Sequence, residues 1–216
     1  MARNRLRLRL FTFISAVNES RQLAADAYAW TSPGPGGNSP RISKRRRNSM
    51  LELAFLRAFL AWEIFLEETF LLYLMGQKPP RGRGPKRYTF PPNLQTAGEW
   101  IIPERRQYAE WTNCQDVCRR AERFFQKGRP YADVLRSRQN IFDESKRIRN
   151  AIVHTSGSAQ NEFETLIRYK LGVLPPNTTV GSFLCTVKPD SSPPQSFLEH
   201  YLGKIEFVAK TIVPTR

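Results

Sequence analysis

The sequence predicts an all-α protein, a bundle of four to six helices joined by long basic and Pro/Gly-rich loops. Apolar residues recur at three-to-four spacing through most of the chain, the period of one face of an α-helix. Two Ser-x-x-Glu boxes, Ser49/Glu52 and Ser196/Glu199, have the form in which each side chain satisfies a backbone amide of a helix's first turn. Gly76, Gly128 and Gly172 close helical segments, and clusters of Pro, Gly and Ser fill the intervals. No internal repeat divides the chain. With 216 residues and 40% hydrophobic composition it can bury one sizeable core, so a single domain over 1–216 is expected.

The first helix is expected over residues 5–30, where Leu6, Leu10, Phe13 or Ile14, and Val17 recur before Ala24, Tyr28 and Trp30. Its opening Arg-Leu alternation also suits a strand. Residues 31–48 read as a loop that ends in Lys44-Arg45-Arg46-Arg47. The second helix is expected to start at the Ser49/Glu52 box and stop at Gly76; it is apolar around most of its circumference, which marks it as the central, buried one. Glu52, Glu63 and Glu67 fall within about 60° of each other on it, a carboxylate stripe that faces solvent, a subunit or basic partners.

Residues 77–97 form a second irregular segment, rich in Pro, Gly and Arg. Helical pattern resumes in short pieces with Pro103 and Thr112 as starts and Gly128 as a stop. Trp100, Tyr108, Trp111, Phe124 and Phe125 in this region are expected in the core, with base stacking as the alternative. A helix opening near Pro130 carries Ile141, Ser145, Ile148 and Ile152 on a core face flanked by Phe142 and Val153. Asp143, Arg147, Asn150 and His154 line a polar face of the same helix. Thr155-Ser156-Gly157 ends it, and another helix runs from about 158 to 171. Residues 172–195 are irregular, with a short extended piece around 180–187, and the last helix carries Phe197, Tyr201, Ile205, Val208 and Ile212.

An excess of 34 Lys+Arg over 19 Asp+Glu gives a formal charge of +15, a field that concentrates polyanions, and nucleic acid is the expected partner. The loop cations Lys44, Arg45, Arg46, Arg47, Arg81, Arg83, Lys86 and Arg87 are the candidates to meet it. Three cysteines do not make a disulfide framework and fit a reducing cytoplasm. Cys114 and Cys118 share a helical face but lack the further ligands a zinc site needs, so neither metal nor cofactor is expected. The run from Arg3 to Val17 lacks a convincing cleavage site and reads as a helix of the mature protein rather than a signal peptide. The apolar stretch Leu51 to Met75 is broken by Glu52, Arg57, Glu63, Glu67 and Glu68, too many charges for a bilayer span, and no membrane partner is expected.

The most informative residues are Arg149-Asn150-Ala151-Ile152-Val153-His154, where a permanent cation, a carboxamide and one of 2 histidines lie within a turn and a half of helix. With 25 arginines and 2 histidines an Arg five residues before a His arises by chance about 0.2 times, so spacing alone decides little. On a regular helix Asn150 and His154 are neighbours, whereas Arg149 is rotated by about 100° from Asn150 and about 140° from His154. Arg149 and His154 converge only if the helix loosens near Thr155 to Gly157, or if two copies meet and each supplies part of the site. His200, with apolar neighbours, reads as a surface or boundary residue.

Arg149-Asn150-x-x-x-His154 at a helix end resembles the Arg-x4-6-His motif of the HEPN superfamily. The glutamate-bearing helix Leu51 to Glu63, and Arg120-Ala121-Glu122-Arg123-Phe124-Phe125 some thirty residues before the motif, are similar to bacterial proteins of the RiboL-PSP-HEPN type. The three stretches fall in the family's order and, with the segments between, span about half the chain. The resemblance implies a HEPN-like helical bundle that forms a homodimer, with the motifs of both subunits meeting in a basic cleft. It implies a metal-independent endoribonuclease in which His154 is the general acid or base, Arg149 stabilises charge on phosphate, and Asn150 orients His154 or the phosphate. Glu63 and Arg147 are supporting candidates. Family members often serve as toxins or anti-phage effectors, which implies an antitoxin or regulatory partner. Two other functions compete: a non-catalytic module that binds RNA or a nucleotide, and a membrane-surface protein that uses its basic loops.

Overall fold

A computed structural model describes residues 4–33, 39–103 and 107–215. Arg3 and the Pro/Gly residues 34–38 of the first loop lie outside the described residues. The fold is all-α: α1 (Arg5–Thr31), α2 (Lys44–Leu74), α3 (Leu94–Ile101), α4 (Cys114–Phe124), α5 (Ala132–Arg136), α6 (Gln139–Val153), α7 (Gly157–Leu171), α8 (Val180–Cys185) and α9 (Phe197–Ile212). The expectation of four to six helices missed the short α3, α5 and α8, of 8, 5 and 6 residues, which are too brief for a hydrophobic period to declare itself. Among the described residues no strand forms, only isolated bridges at Arg87/Phe125 and Val187/Ser196.

Several boundaries correct the expectations. The Arg-Leu alternation is helical from Arg5. Lys44–Arg47 belong to α2 rather than to a loop: Ser43 Oγ accepts from the Arg46 amide at 3.3 Å, and four residues of good helix propensity follow it. Ser49 is therefore inside the helix, its hydroxyl donating back to the Arg45 carbonyl, and the Ser49/Glu52 box does not form. Residues 94–97 are helical, capped by Asn93, whose side chain accepts from the Thr96 amide at 2.9 Å. Residues 104–106, which follow the expected start at Pro103, lie outside the described residues, and α4 is capped by Asn113 rather than by Thr112. The motif helix opens at Gln139 rather than near Pro130. The piece at 180–185 is helical, not extended, because Thr179 and Ser182 form a reciprocal capping box. Gly76 stops α2 as expected: its φ of 83° is left-handed, and the Gln77 amide then returns to the Leu72 carbonyl at 2.9 Å.

The chain divides into two compact units, each assembled from separated segments. The first comprises residues 1–14, 61–143 and 205–216. Its core is aromatic: Phe70 packs against Trp111, Phe125 and Tyr131 at centroid distances of 5.4, 4.9 and 5.3 Å. Three of the five aromatics assigned to the core, Trp111, Phe124 and Phe125, are buried there, whereas Trp100 and Tyr108 are exposed. Two buried tyrosine hydroxyls are paired: Tyr131 donates to Thr69 Oγ1 at 3.0 Å, and Tyr73 to the Ile212 carbonyl at 2.7 Å.

The second unit comprises residues 15–60 and 144–204. Phe163, Phe183, Phe197, Tyr201 and Phe55 form a chain of ring contacts through its core. Glu144 is buried within it, accepting from the Tyr201 hydroxyl at 2.9 Å and pairing with Lys170 Nζ at 2.6 Å. Glu52, placed on a carboxylate stripe, accepts instead from the Gly181 amide at 2.7 Å. That contact needs a glycine, because a Cβ at 181 would come within 2.2 Å of the Asn48 carbonyl oxygen. Ser196 does cap α9, accepting from the Glu199 amide at 3.2 Å, but the Glu199 carboxylate pairs with Arg21 at 2.9 Å.

Candidate functional site

The motif lies at the C-terminal end of α6, in the second unit. Ser145 and Ile148 are fully buried, which fixes the rotation of the helix, while Ile141 and Ile152 are only half-buried and Val153 is 46% exposed. The core face is thus narrower than its four-residue expectation. Regular helix ends at Val153, where β-branched Ile152 and Val153 are followed by His154 and Thr155, residues of modest helix propensity. The His154 amide still donates to the Asn150 carbonyl at 2.8 Å, so the histidine completes the last turn without continuing it. Gly157 is not the terminator expected: Ser156 caps α7, accepting from the Ala159 amide at 3.4 Å, and Gly157 is the first residue of that helix.

This ending lets side chains that diverge on a regular helix converge. Arg149 Nη1 lies 3.4 Å from His154 Nε2 and 3.3 Å from Asn150 Oδ1. The Arg149–His154 convergence therefore occurs within one chain, through the first of the two routes open from sequence. Guanidinium carries donors only, so the contact is a hydrogen bond when Nε2 holds a lone pair and the ring proton is on Nδ1. The Asn150 carboxamide oxygen thus accepts from the arginine. Arg149 Nε is buried with no hydrogen-bond partner among the described residues, and such a donor costs about 1–3 kcal/mol unless function supplies an acceptor. His154 itself is exposed, within reach of a polymer.

Arg147 is half-buried on the same helix, as are Asp143 and Asn150. Glu63 belongs to the first unit, where its carboxylate accepts from the Thr112 hydroxyl at 2.7 Å. Lys44, Arg45 and Arg46 are exposed in the first turn of α2, and Arg47 donates to Asn48 Oδ1 at 3.1 Å. Four cations at the positive end of a helix dipole repel one another and the dipole, a local cost that an anionic partner relieves. Arg81, Arg83 and Lys86 are exposed in the first unit, but Arg87 is half-buried, donates to the Leu74 carbonyl at 2.8 Å and covers Phe90 at 4.7 Å. Arg87 is thus a cap for the end of α2.

His200 is a boundary residue, half-buried against Tyr201 at 5.5 Å. Burial lowers its pKa to about 4, and Lys204, Lys188 and Lys170 push in the same direction. Cys114 and Cys118 are buried on one face of α4, and among the described residues no group of three or more His, Cys, Asp or Glu side chains could hold a metal ion. No helix among the described residues is long and apolar enough to cross a membrane. Sequence reasoning missed Arg129, which a long separation in the chain hides from any local motif but which lines the same cavity as Arg83 and Lys86.

Comparison with family models, with curated proteins and with solved structures finds no match to this chain.

Proposed function

We propose that this protein is a metal-independent endoribonuclease whose reactive groups are Arg149 and His154. One observation carries the reading: a permanent cation and an imidazole nitrogen 3.4 Å apart at an exposed helix end. That pair matches the needs of transesterification. His154 Nε2 accepts the proton of a ribose 2′-hydroxyl as its oxygen attacks phosphorus, and the bond to the 5′-oxygen breaks, leaving a 2′,3′-cyclic phosphate. Arg149 holds the charge that develops on the non-bridging oxygens, and a phosphate arriving between the two side chains competes for the N–H that otherwise faces Nε2. Asn150 Oδ1 keeps the guanidinium aimed there.

The leaving 5′-oxygen needs a proton donor. His200 is held neutral by burial and three lysines, so the donor in this reading is His154 of a second chain in a homodimer. Leu53 at 58% and Leu60 at 42% exposure in the same unit give an apolar surface for such a partner. Purified protein should cleave total RNA in the presence of EDTA, and His154→Ala should abolish cleavage with folding and oligomeric state unchanged. Cleavage retained by the variant refutes the assignment. The charge of +15 supports a second reading, RNA binding without cleavage, for which wild-type protein binds RNA in a salt-dependent manner and leaves it intact.

A further inference from the structure

The first unit contains a cavity of about 360 Å³ lined by Arg83, Lys86 and Arg129, with Gln126, Thr211 and four prolines also in its wall. Its volume is in the lower part of the range that small-ligand sites occupy, about 300–1,000 Å³. The three cations come from the loop after α2 and from the turn before α5, more than forty residues apart in sequence. Gln126 and Thr211 are exposed polar residues, and the prolines present flat apolar faces.

The wall is built rather than loose. The loop carrying Arg83 and Lys86 is tied on both sides: the Arg81 amide donates to the Pro214 carbonyl at 3.2 Å, and the Gln126 amide donates to the Lys86 carbonyl at 2.8 Å. The Tyr88 amide continues to the Phe124 carbonyl at 2.9 Å. Beneath, the Tyr73 hydroxyl is spent on the Ile212 carbonyl, so its ring is fixed. A wall held in place before the ligand arrives saves the ordering cost of binding. Arg129 is paired with Asp133 at 3.3 Å, but both side chains are 67% exposed, and such a pair contributes little and yields readily to a better anion.

We infer that this cavity binds one nucleotide of a single-stranded RNA, with its phosphate among Arg83, Lys86 and Arg129 and its base against the proline faces, its edge toward Gln126. Cations with no carboxylate among the lining residues select an anion, and an apolar concavity beside them selects a planar group attached to it. The ligand class rests on the RNA reading given above, while the site is separate from the motif and is tested without cleavage.

The test uses the full chain and a short fluorescent 2′-O-methyl RNA, which lacks the attacking hydroxyl and stays intact. The Arg83→Ala/Arg129→Ala variant should bind about tenfold or more weakly, with the slope of log affinity against log salt reduced by about 1.4 for two lost phosphate contacts. Arg83→Lys/Arg129→Lys should recover most of the affinity, and Arg7→Ala/Lys210→Ala, which removes two exposed cations elsewhere in the unit, should bind like wild type. An abasic strand of equal length should bind wild type more weakly than the intact strand. Unchanged affinity in the pocket variant, an equal loss in the Arg7/Lys210 variant, an abasic strand that binds as tightly, or displacement of the RNA by anionic vesicles would overturn the inference. If His154→Ala still cleaves ordinary RNA while Arg83→Ala/Arg129→Ala weakens binding of the 2′-O-methyl strand, the catalytic reading fails and the cavity stands.

Discussion

Lys170→Met tests how the motif helix is held. The ammonium lies 2.6 Å from a Glu144 carboxylate that also accepts from Tyr201, and the two charged side chains are 19% and 10% exposed. Methionine preserves most of the stem's packing and removes only the charge, leaving the carboxylate with a hydroxyl where it had an ammonium. Breaking a fully buried pair on one side costs about 3–5 kcal/mol. The residual exposure here admits water to the lysine end, so about 2–3 kcal/mol is expected. Glu144→Met/Lys170→Met, which removes both charges, should be less destabilised than Lys170→Met alone, because no charge remains buried. Urea unfolding followed by far-ultraviolet circular dichroism reads this as a lower midpoint at unchanged slope. A midpoint that does not move, or a double variant no more stable than the single one, would refute the account. Glu144 precedes Arg149 on α6, so cleavage by the proposed site should fall with stability rather than ahead of it.

The lowered pKa of His200 makes stability pH-dependent: the unfolded chain takes up the proton near pH 6.5 and the folded chain only near pH 4, so stability is fully present above 6.5 and is lost as pH falls toward 4. At complete burial that interval is worth about 3 kcal/mol; half burial reduces the expected loss to about 1–2 kcal/mol, and His200→Gln should flatten the unfolding profile across it. Gly181→Ala should cost about 1–3 kcal/mol, because its Cβ meets backbone at Asn48 rather than a side chain that can turn away; a thermal midpoint within error of wild type would remove the close-approach argument. Arg149→Lys should lower cleavage at least tenfold while RNA affinity changes less, since an ammonium cannot hold Asn150 and a phosphate in one plane; equal losses in both would reassign Arg149 to binding.

Local signals that need no partner were legible in the sequence. The helical period, the stops at Gly76 and Gly172, the Ser196 cap and the Arg149 to His154 motif are readable because each depends on residues within a turn or two of itself. The start of α2 carries two signals, at Ser43 and at Ser49/Glu52, six residues apart, and the Ser49/Glu52 box needs Glu52, which the tertiary structure commits to Gly181. Arg87 reads as one of a run of loop cations until the fold brings it onto the Leu74 carbonyl, and Arg129 carries no signal until a cavity places it beside Arg83 and Lys86. Sequence thus determined the helical class and the charge. Tertiary structure decided which cations are structural caps, which line a cavity, and that α6 ends one residue before His154. That last point turns on backbone geometry: the rotation between Arg149 and His154 is fixed on a regular helix, and only where the helix stops can a long guanidinium side chain close the gap to 3.4 Å.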